Sequence, residues 1–307
     1  MSTPSLSALP IRRLTPRDVT ACADLSQDRG WSPEDHKWGL LLAAGTGYGI
    51  DAPDGQGLMG AAVVTAYGRQ DSPDLLAIGM VLVAQRYERQ GVGRRMMRHL
   101  LAEAGTTPLT LHATPNGRPL YEELGFKAVG SAEMMVGAFT AEGVDAAADT
   151  AGTKQARGAK GTGASVATRS ATAEDLPAIL RLDDEVFGLD RTHMITRLPA
   201  FADQLQVAEA NGEIVGYAAA WPNTHHEVVG PLIARDTETA KALITSLAAR
   251  AVRPLRTDID VRHEELLTWL KERGLEPVAF NTVMVHSAPD LPGDWVRRFA
   301  PLTVAAG

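Results

Sequence analysis

Apolar and polar positions along the chain fall into short segments of two periods, separated by turns that contain Gly, Pro or Asn. Residues 75–83, LLAIGMVLV, are apolar throughout, the pattern of a buried strand. The sequence AQRYERQGVGRRMMRHLLAEAG follows at once. In it Val92, Met96, Met97, Leu100 and Leu101 recur at helical spacing, which predicts a helix beginning near Gly91, after a glycine-rich turn. Residues 109–113 read as a further strand. Pro119 can then start a short helix through LYEELGF, and Gly125 can end it. Nearer the start, residues 11–13 read as a strand that enters a helix, with Thr15 as N-cap and Asp18 three positions on. Residues 58–64 read as a hairpin strand after a Gly-containing turn.

The same succession then returns. Thr172 and Asp175 repeat Thr15 and Asp18 at an offset of 157, and IVGYAAA (214–220) repeats LMGAAVV (58–64) at 156. Gly230 matches Gly79 at 151 and WLKERGL matches LYEELGF at 149, so the second copy loses residues toward its end. Between residues 140 and 165 the chain is rich in Ala, Gly and Thr, with no aromatic residue and a single valine. That is too little apolar area to offset the entropy of ordering, which predicts a linker. The expected organisation is a first domain at 1–139, a linker at 140–165 and a second domain at 166–307. Within each domain strands alternate with helices, an α/β arrangement with a mixed sheet, in two copies.

Composition adds exclusions. With 307 residues, 45% of them hydrophobic, the chain has material for two cores of common size. The formal charge of −7 would repel a phosphate backbone, so nucleic acid is not an expected partner. Cys22 is the sole cysteine, which excludes an intrachain disulfide and a zinc site built on several thiolates, and fits a reducing, cytoplasmic setting. It reads as a buried apolar residue. No apolar run approaches the ~20 residues that cross a bilayer. The N-terminal MSTPSLSALPIRR carries its first positive charges after its apolar stretch, the reverse of a secretory signal.

The glycine turn carries the candidate chemistry. The first amides of the helix after it lack intrahelical acceptors, and an anion can approach them closely where Gly91 and Gly93 have no Cβ. A GxG turn before a helix is common as a purely structural element. Here, however, it follows a buried strand and precedes a second strand and LYEELGF. The strand, the RQGVGR turn and LYEELGF together resemble the GNAT superfamily of N-acetyltransferases, which bind acetyl-CoA. The first half is similar in its motifs and the second in outline, so the whole resembles a tandem GNAT protein. The resemblance implies two domains, each a mixed, mostly antiparallel sheet flanked by helices, and acetyl-CoA as co-substrate with no metal. It also implies that backbone groups of Val81, Leu82 and Val83 bind the pantetheine arm as an added strand. Arg89, Gln90, Gly91, Val92, Gly93 and Arg94 would wrap the pyrophosphate. Tyr121 would protonate the departing thiolate, a role that suits a phenol with an ordinary pKa near ~10.

Two positions depart from the family's pattern. Glu88 stands where Gln or Arg is usual, and would repel a pyrophosphate unless it turns away. Thr114 stands where Asn is frequent, which leaves Thr114 and Asn116 as alternative contacts to the arm. No glutamate lies on the strands at 75–83 or 109–113 to act as base, and His112 is the candidate in its place. The resemblance implies an amine acceptor, small or protein-borne. Trp31, Asp35, His36 and Trp38 are expected to line its cleft with an aromatic wall and a carboxylate, although the two tryptophans serve equally well as core anchors. Asp190 and Arg191 read as a helix cap or ion pair, and His225 with His226 as a loop pair. In the second half Asp236 and Glu238 lie at the start of the matching helix and Leu270 stands in the place of Tyr121. That half is expected to bind no CoA and to shape the acceptor cleft. A fragment ending near Thr140 should then bind CoA, unless a sheet-closing strand comes from the other half. The rival reading is a non-catalytic sensor of acetyl-CoA or of an amine on the same fold.

Overall fold

The computed structural model describes residues 6–141 and 166–307; the predicted linker, from residue 142 on, lies outside the described residues. The first half runs β1 (Arg12–Leu14), α1 (Val19–Asp28), α2 (Asp35–Ala44), β2 (Thr46–Asp51), β3 (Leu58–Gly68), β4 (Pro73–Val83), α3 (Val92–Ala104), β5 (Leu109–Ala113), α4 (Arg118–Glu123) and β6 (Lys127–Gly137). The second runs β7 (Ala167–Ser170), α5 (Leu176–Phe187), α6 (Thr192–Ile195), α7 (Leu198–Phe201), β8 (Gln204–Ala210), β9 (Glu213–Pro222), β10 (Glu227–Ala234), α8 (Thr237–Ala248), β11 (Leu255–Asp260), α9 (Glu264–Glu272), β12 (Glu276–His286) and β13 (Arg298–Ala300).

Local chemistry repeats with the elements. Thr15 and Asp18 form a reciprocal capping box ahead of α1, and Thr172 and Asp175 form one ahead of α5. In each copy an arginine of the first strand clamps that aspartate and a carboxylate of the second strand. Arg12 reaches Asp18 and Asp51 at 2.8 Å each, and Arg169 reaches Asp175 and Glu209 at 2.7 Å each. α3 buries Val92, Met96, Met97, Leu100 and Ala104 on one face, as its spacing predicts.

The described strands join in one sheet of thirteen, ordered β1-β2-β3-β4-β5-β12-β6-β11-β10-β9-β8-β7, with β13 on β10. Pairing is parallel between β4 and β5 and between β10 and β11, and antiparallel elsewhere among the described strands, so the sheet is mixed and mostly antiparallel. Its centre is exchanged. β6, from the first half, pairs with β11 of the second, from Leu255 opposite Gly137 to Asp260 opposite Ala132. β12, from the second half, pairs with β5 of the first, from Thr282 opposite Ala113 to His286 opposite Leu109. Between them β6 and β12 pair with each other. Each half of the sheet is thus completed by a strand from the other.

The core follows the same logic. On the inner face one cluster joins Trp38, Leu41, Tyr67 and Met80 of the first half with Phe187, Ile195, Tyr217 and Trp221 of the second. The outer face carries two separate clusters, one holding the apolar side of α3 and Tyr121 of α4, the other the apolar sides of α8 and α9. Cys22 is fully buried in the shared core, and burial pushes its thiol up to about 12. Gly79 on β4 and Gly230 on β10, the matched glycines of the repeat, have a common cause. A Cβ on Gly79 would stand 2.0 Å from the carbonyl oxygen of Ala305, and one on Gly230 2.3 Å from that of Pro301. The chain after β13 crosses both strands where side chains would otherwise be.

A fragment of residues 1–141 lacks β12 and exposes the edge of β5. It should be unfolded or aggregated by circular dichroism and size-exclusion chromatography, whereas co-expression with residues 166–307 should recover a soluble complex. A folded, monomeric 1–141 would show that β12 is dispensable.

Candidate active site

β4 and β5 pair only as far as Ile78 opposite Leu111. Beyond this Met80 takes a left-handed backbone (φ 51), and the register of β4 on β3 shifts between Gly79 and Leu82. This is a bulge, and it turns the end of β4 away from β5. Val81, Leu82 and Val83 therefore have no strand partner on the β5 side among the described residues. A cleft of about 600 Å³ opens there. The first half lines it with Val81, Leu82, Val83, Gly93, His112, Thr114, Asn116 and Tyr121, and the second with Arg256, Phe280, Asn281, Val304 and Ala305.

One end of the cleft meets the start of α3. Gly91 is the N-cap, with a left-handed backbone (φ 81), no side chain caps the helix, and nothing lies within 4 Å of where a Cβ on Gly91 would stand. The first amides of α3 are left to an external acceptor. Arg89, Gln90 and Gly91 are exposed on the turn between Glu88 and Gly93, both of which line the cleft. Val92 is buried and offers this turn its backbone alone, and Arg94 is ion-paired with Glu123. Glu88 is ion-paired with Arg29, at the end of α1, which also lines the cleft. Thr114 is engaged locally, its hydroxyl accepting the amide of Gly117 at 3.3 Å. The side chain of Asn116 has no partner among the described residues.

Tyr121 of α4 is 8% exposed and packs edge-on against Phe126, with ring centroids 6.0 Å apart. Burial pushes its phenol up to about 12, so it is protonated at neutral pH. His112 on β5 lines the same cleft. Burial, and after it the positive charge of Arg298, push its imidazole down to about 4, and its Nδ1 has no hydrogen-bond partner. A ring that weakly basic is neutral at pH 7 and is a poor receiver for an ammonium proton.

The expected acceptor wall is corrected. α2 begins only at Asp35, so Trp31 lies ahead of the helix and the seven-residue spacing from Trp38 does not place the two on one face. Trp31 does line the cleft and is 41% exposed. Trp38 is fully buried, its indole N–H donating to Ser26 Oγ at 2.9 Å, which makes it the core anchor of the alternative reading. Asp35 is exposed, and His36 stacks on Phe201 with ring centroids 4.3 Å apart; neither lines the cleft.

In their place the fold brings in Glu34 and Lys37, with Arg256 from the second half. Glu34 is buried with a left-handed backbone (φ 62). Its carboxylate meets Lys37 Nζ at 3.1 Å, Asn223 Nδ2 at 3.2 Å and Arg256 at 3.9 Å. Arg256 also lies 3.4 Å from one oxygen of Asp258. The other oxygen of Asp258 and Nε of Arg256 have no partner. Burial lowers the pKa of Lys37 and raises that of Asp258. The only local trace of this network was the opposite charge of Glu34 and Lys37 at helical spacing.

The matching slot of the second half is filled by the chain itself. Asp236 caps α8, its carboxylate accepting the amide of Thr239 at 2.8 Å, and pairs with Arg235 at 2.8 Å. β10 and β11 pair only as far as Val229 opposite Thr257, and beyond this β13 lies on β10, with Ala300 opposite Leu232. Leu270 is fully buried. Asp190 accepts the amide of Thr192 at 2.8 Å, and Arg191 is paired with buried Asp183 at 2.7 Å. No group of three potential metal ligands occurs among the described residues, His225 and His226 included.

Residues 52–139 and residues 179–300 each match a family model described as an acetyltransferase (GNAT) domain. The uncharacterized N-acetyltransferase YitH of Bacillus subtilis (strain 168) is 28% identical over 265 residues, which span 85% of this chain and 86% of that protein. A tandem GNAT protein from the clavulanic acid biosynthesis pathway is similar in structure with a TM-score of 0.63 at 15% identity, over 92% of this chain and 99% of that one. A candidate acetyltransferase from Pyrococcus horikoshii is similar with a TM-score of 0.75 at 16% identity, over 100% and 99%. No helix among the described residues is long and apolar enough to cross a membrane.

The His112 shift sets a pH dependence. Between about 4 and its ordinary 6.5 the unfolded chain binds a proton at His112 that the folded chain does not, so stability rises with pH across that window and falls on acidification. In an NMR titration the ring should keep its neutral signature until the pH approaches about 4. A midpoint near the ordinary value would mark a solvated imidazole.

Proposed function

The chain is a tandem GNAT N-acetyltransferase, and from that premise we propose that its first half acetylates an amine from acetyl-CoA at one site, the cleft between β4 and β5. The observation that carries this reading is the convergence in that cleft of an unpaired strand segment, an uncapped helix start and a protonated phenol. The residues fit the co-substrate. Backbone groups of Val81, Leu82 and Val83 would hold the pantetheine arm by strand-like pairing, with Asn116 beside it. The turn from Arg89 to Arg94, opened by Gly91 and Gly93, would receive the pyrophosphate. When bound, acetyl-CoA supplies an activated acyl thioester.

The chain's own groups then do the following. Arg29 neutralises Glu88, so the carboxylate that departs from the family's pattern does not oppose the anion. Tyr121 donates to the departing sulfur. Burial that raises the phenol also raises the proton affinity of a thiolate beside it, so donor and receiver shift together. Glu34 is the buried member of the two carboxylates that line the cleft; Lys37 and Arg256 balance its charge, and it would accept a hydrogen bond from the acceptor's nitrogen rather than attract a free ammonium. The acceptor would attack as the neutral amine, its first proton having left to solvent. As the N–C bond forms and the C–S bond breaks, the phenolate left on Tyr121 would take back the proton the attacking nitrogen sheds, while His112 accepts a hydrogen bond without keeping a proton. The second half binds no co-substrate and completes the acceptor wall through Arg256, Phe280 and Asn281. The proposed domains are 1–139 and 166–307, joined by 140–165. A cytoplasmic setting is proposed from the lone, buried Cys22.

The direct test is acetyl-CoA-dependent thiol release over a panel of polyamines, amino sugars, amino acids and lysine peptides. Absence of acetyl-CoA binding would sink the reading. Gly93→Asp is the cleanest site variant, because a Cβ there meets only Val83 and Leu120, at 3.5 and 3.6 Å. A carboxylate in the first turn suits the helix but opposes a second anion. The variant should keep its melting temperature and bind acetyl-CoA ~100-fold more weakly by calorimetry; undiminished affinity would move the pyrophosphate elsewhere.

Tyr121→Phe should lower kcat by ~10² or more and leave acetyl-CoA affinity within about twofold. Unchanged turnover, with chemistry rate-limiting, would remove Tyr121 from the reaction.

A further inference from the structure

The chain from β13 onward forms a strap across both halves. Arg298–Ala300 fill the slot of the second half, and the following residues cross to the first. The strap is anchored along its length. Trp221 Nε1 donates to the carbonyl of Leu302 at 3.3 Å, the Tyr67 hydroxyl donates to the carbonyl of Ala306, and the amide of Ala306 donates to the carbonyl of Thr303 at 2.9 Å. Leu302, Ala305 and Ala306 are buried in the shared core. Val304 is partly exposed and, with Ala305, lines the cleft together with Ile78, Gly79 and Met80.

This group is apolar throughout and sits at the bulge, where β4 leaves β5 and its backbone amides become available to a carbonyl. An acyl chain whose carbonyl is held by those amides must extend along the same wall. The wall cannot recede, because Ala305 presses against Gly79 and its neighbours are tied to Tyr67 and Trp221. Resting on the acetyl-transfer reading above, we propose that Val304 and Ala305, supplied by the second half, close the acyl subsite of the first and set the length of acyl chain it accepts. Acetyl fits, and longer chains meet the strap. An apolar wall of this kind discriminates one methylene by ~10-fold or more.

Val304 tests the proposal, since it lines the cleft, is partly exposed, and belongs to a strap held by backbone carbonyls that a substitution leaves in place. Calorimetry on the full chain would compare acetyl-, propionyl- and butyryl-CoA. The wild-type protein should bind butyryl-CoA at least ~10-fold more weakly than acetyl-CoA. Val304→Ala should bring the two affinities together, and Val304→Leu should separate them further; a shift in either folded variant supports the proposal. Equal wild-type affinity for the two, an unchanged ratio in both variants, or an equal loss for all three acyl groups would overturn it. Failure of the wild-type protein to bind acetyl-CoA at all would instead remove the reading on which it rests.

Discussion

Two strands that begin in different halves, β6 and β12, pair from Val136 opposite Glu276 to Lys127 opposite Val285, and each then completes the sheet of the other half. Without the exchange β5 and β11 would each end in a row of unpaired amides and carbonyls. Each ladder bond is worth only about 1 kcal/mol net, but leaving such groups buried and unpaired costs more. The candidate site depends on the same ladder. Because β12 lies on β5, Phe280 and Asn281 reach the first half's cleft. Because β6 binds β11 into the sheet, Arg256 meets Glu34 across the two halves.

One frame thus carries an open slot and a shut one, and the physical difference is small. Both halves splay a parallel strand pair after three matched residues. In the first half the wedge is left open and the helix beyond it starts on glycine. In the second, β13 occupies the wedge and the carboxylate of Asp236 occupies the helix start. An anion would have to displace a bonded carboxylate from a site that suits it electrostatically. The closed slot is used as a foundation, because the strap that leaves it is what reaches the cleft of the other half.

What could be read from the sequence is what is encoded locally. The capping boxes at Thr15 and Thr172 each depend on residues three apart, and the apolar face of α3 on a helical period. The glycine turn and LYEELGF were legible for the same reason, and the repeat offset made the second half readable by reference to the first. The exchange of β6 and β12 was not, because a strand's alternation states which face is buried and not which neighbour it pairs with. Trp38 misled because seven-residue spacing implies a shared face only if the helix spans both residues, and α2 starts between them. Glu34 and Arg256 are 222 positions apart in sequence and meet only through the exchanged sheet.

The acidic balance of the chain is a weak guide to the cleft, because charges beyond about 8 Å are largely screened at physiological ionic strength. What an anion experiences there is set by contacts. Glu88, repulsive when read alone, has Arg29 against it, an arginine placed by the end of α1 and invisible to any motif centred on the turn. Glu34 is likewise flanked by Lys37 and Arg256. Yet the two pairs differ in burial: the Glu88 side chain is 47% exposed, whereas those of Glu34 and Lys37 are each 5% exposed. An exposed pair can rearrange around an incoming phosphate at little cost. A buried one resists separation, because each charge left alone would be desolvated without compensation. The two ends of the cleft are therefore unequal in kind: the exposed pair at the helix start can rearrange around an anion, while the buried pair of Glu34 and Lys37 holds its charges fixed.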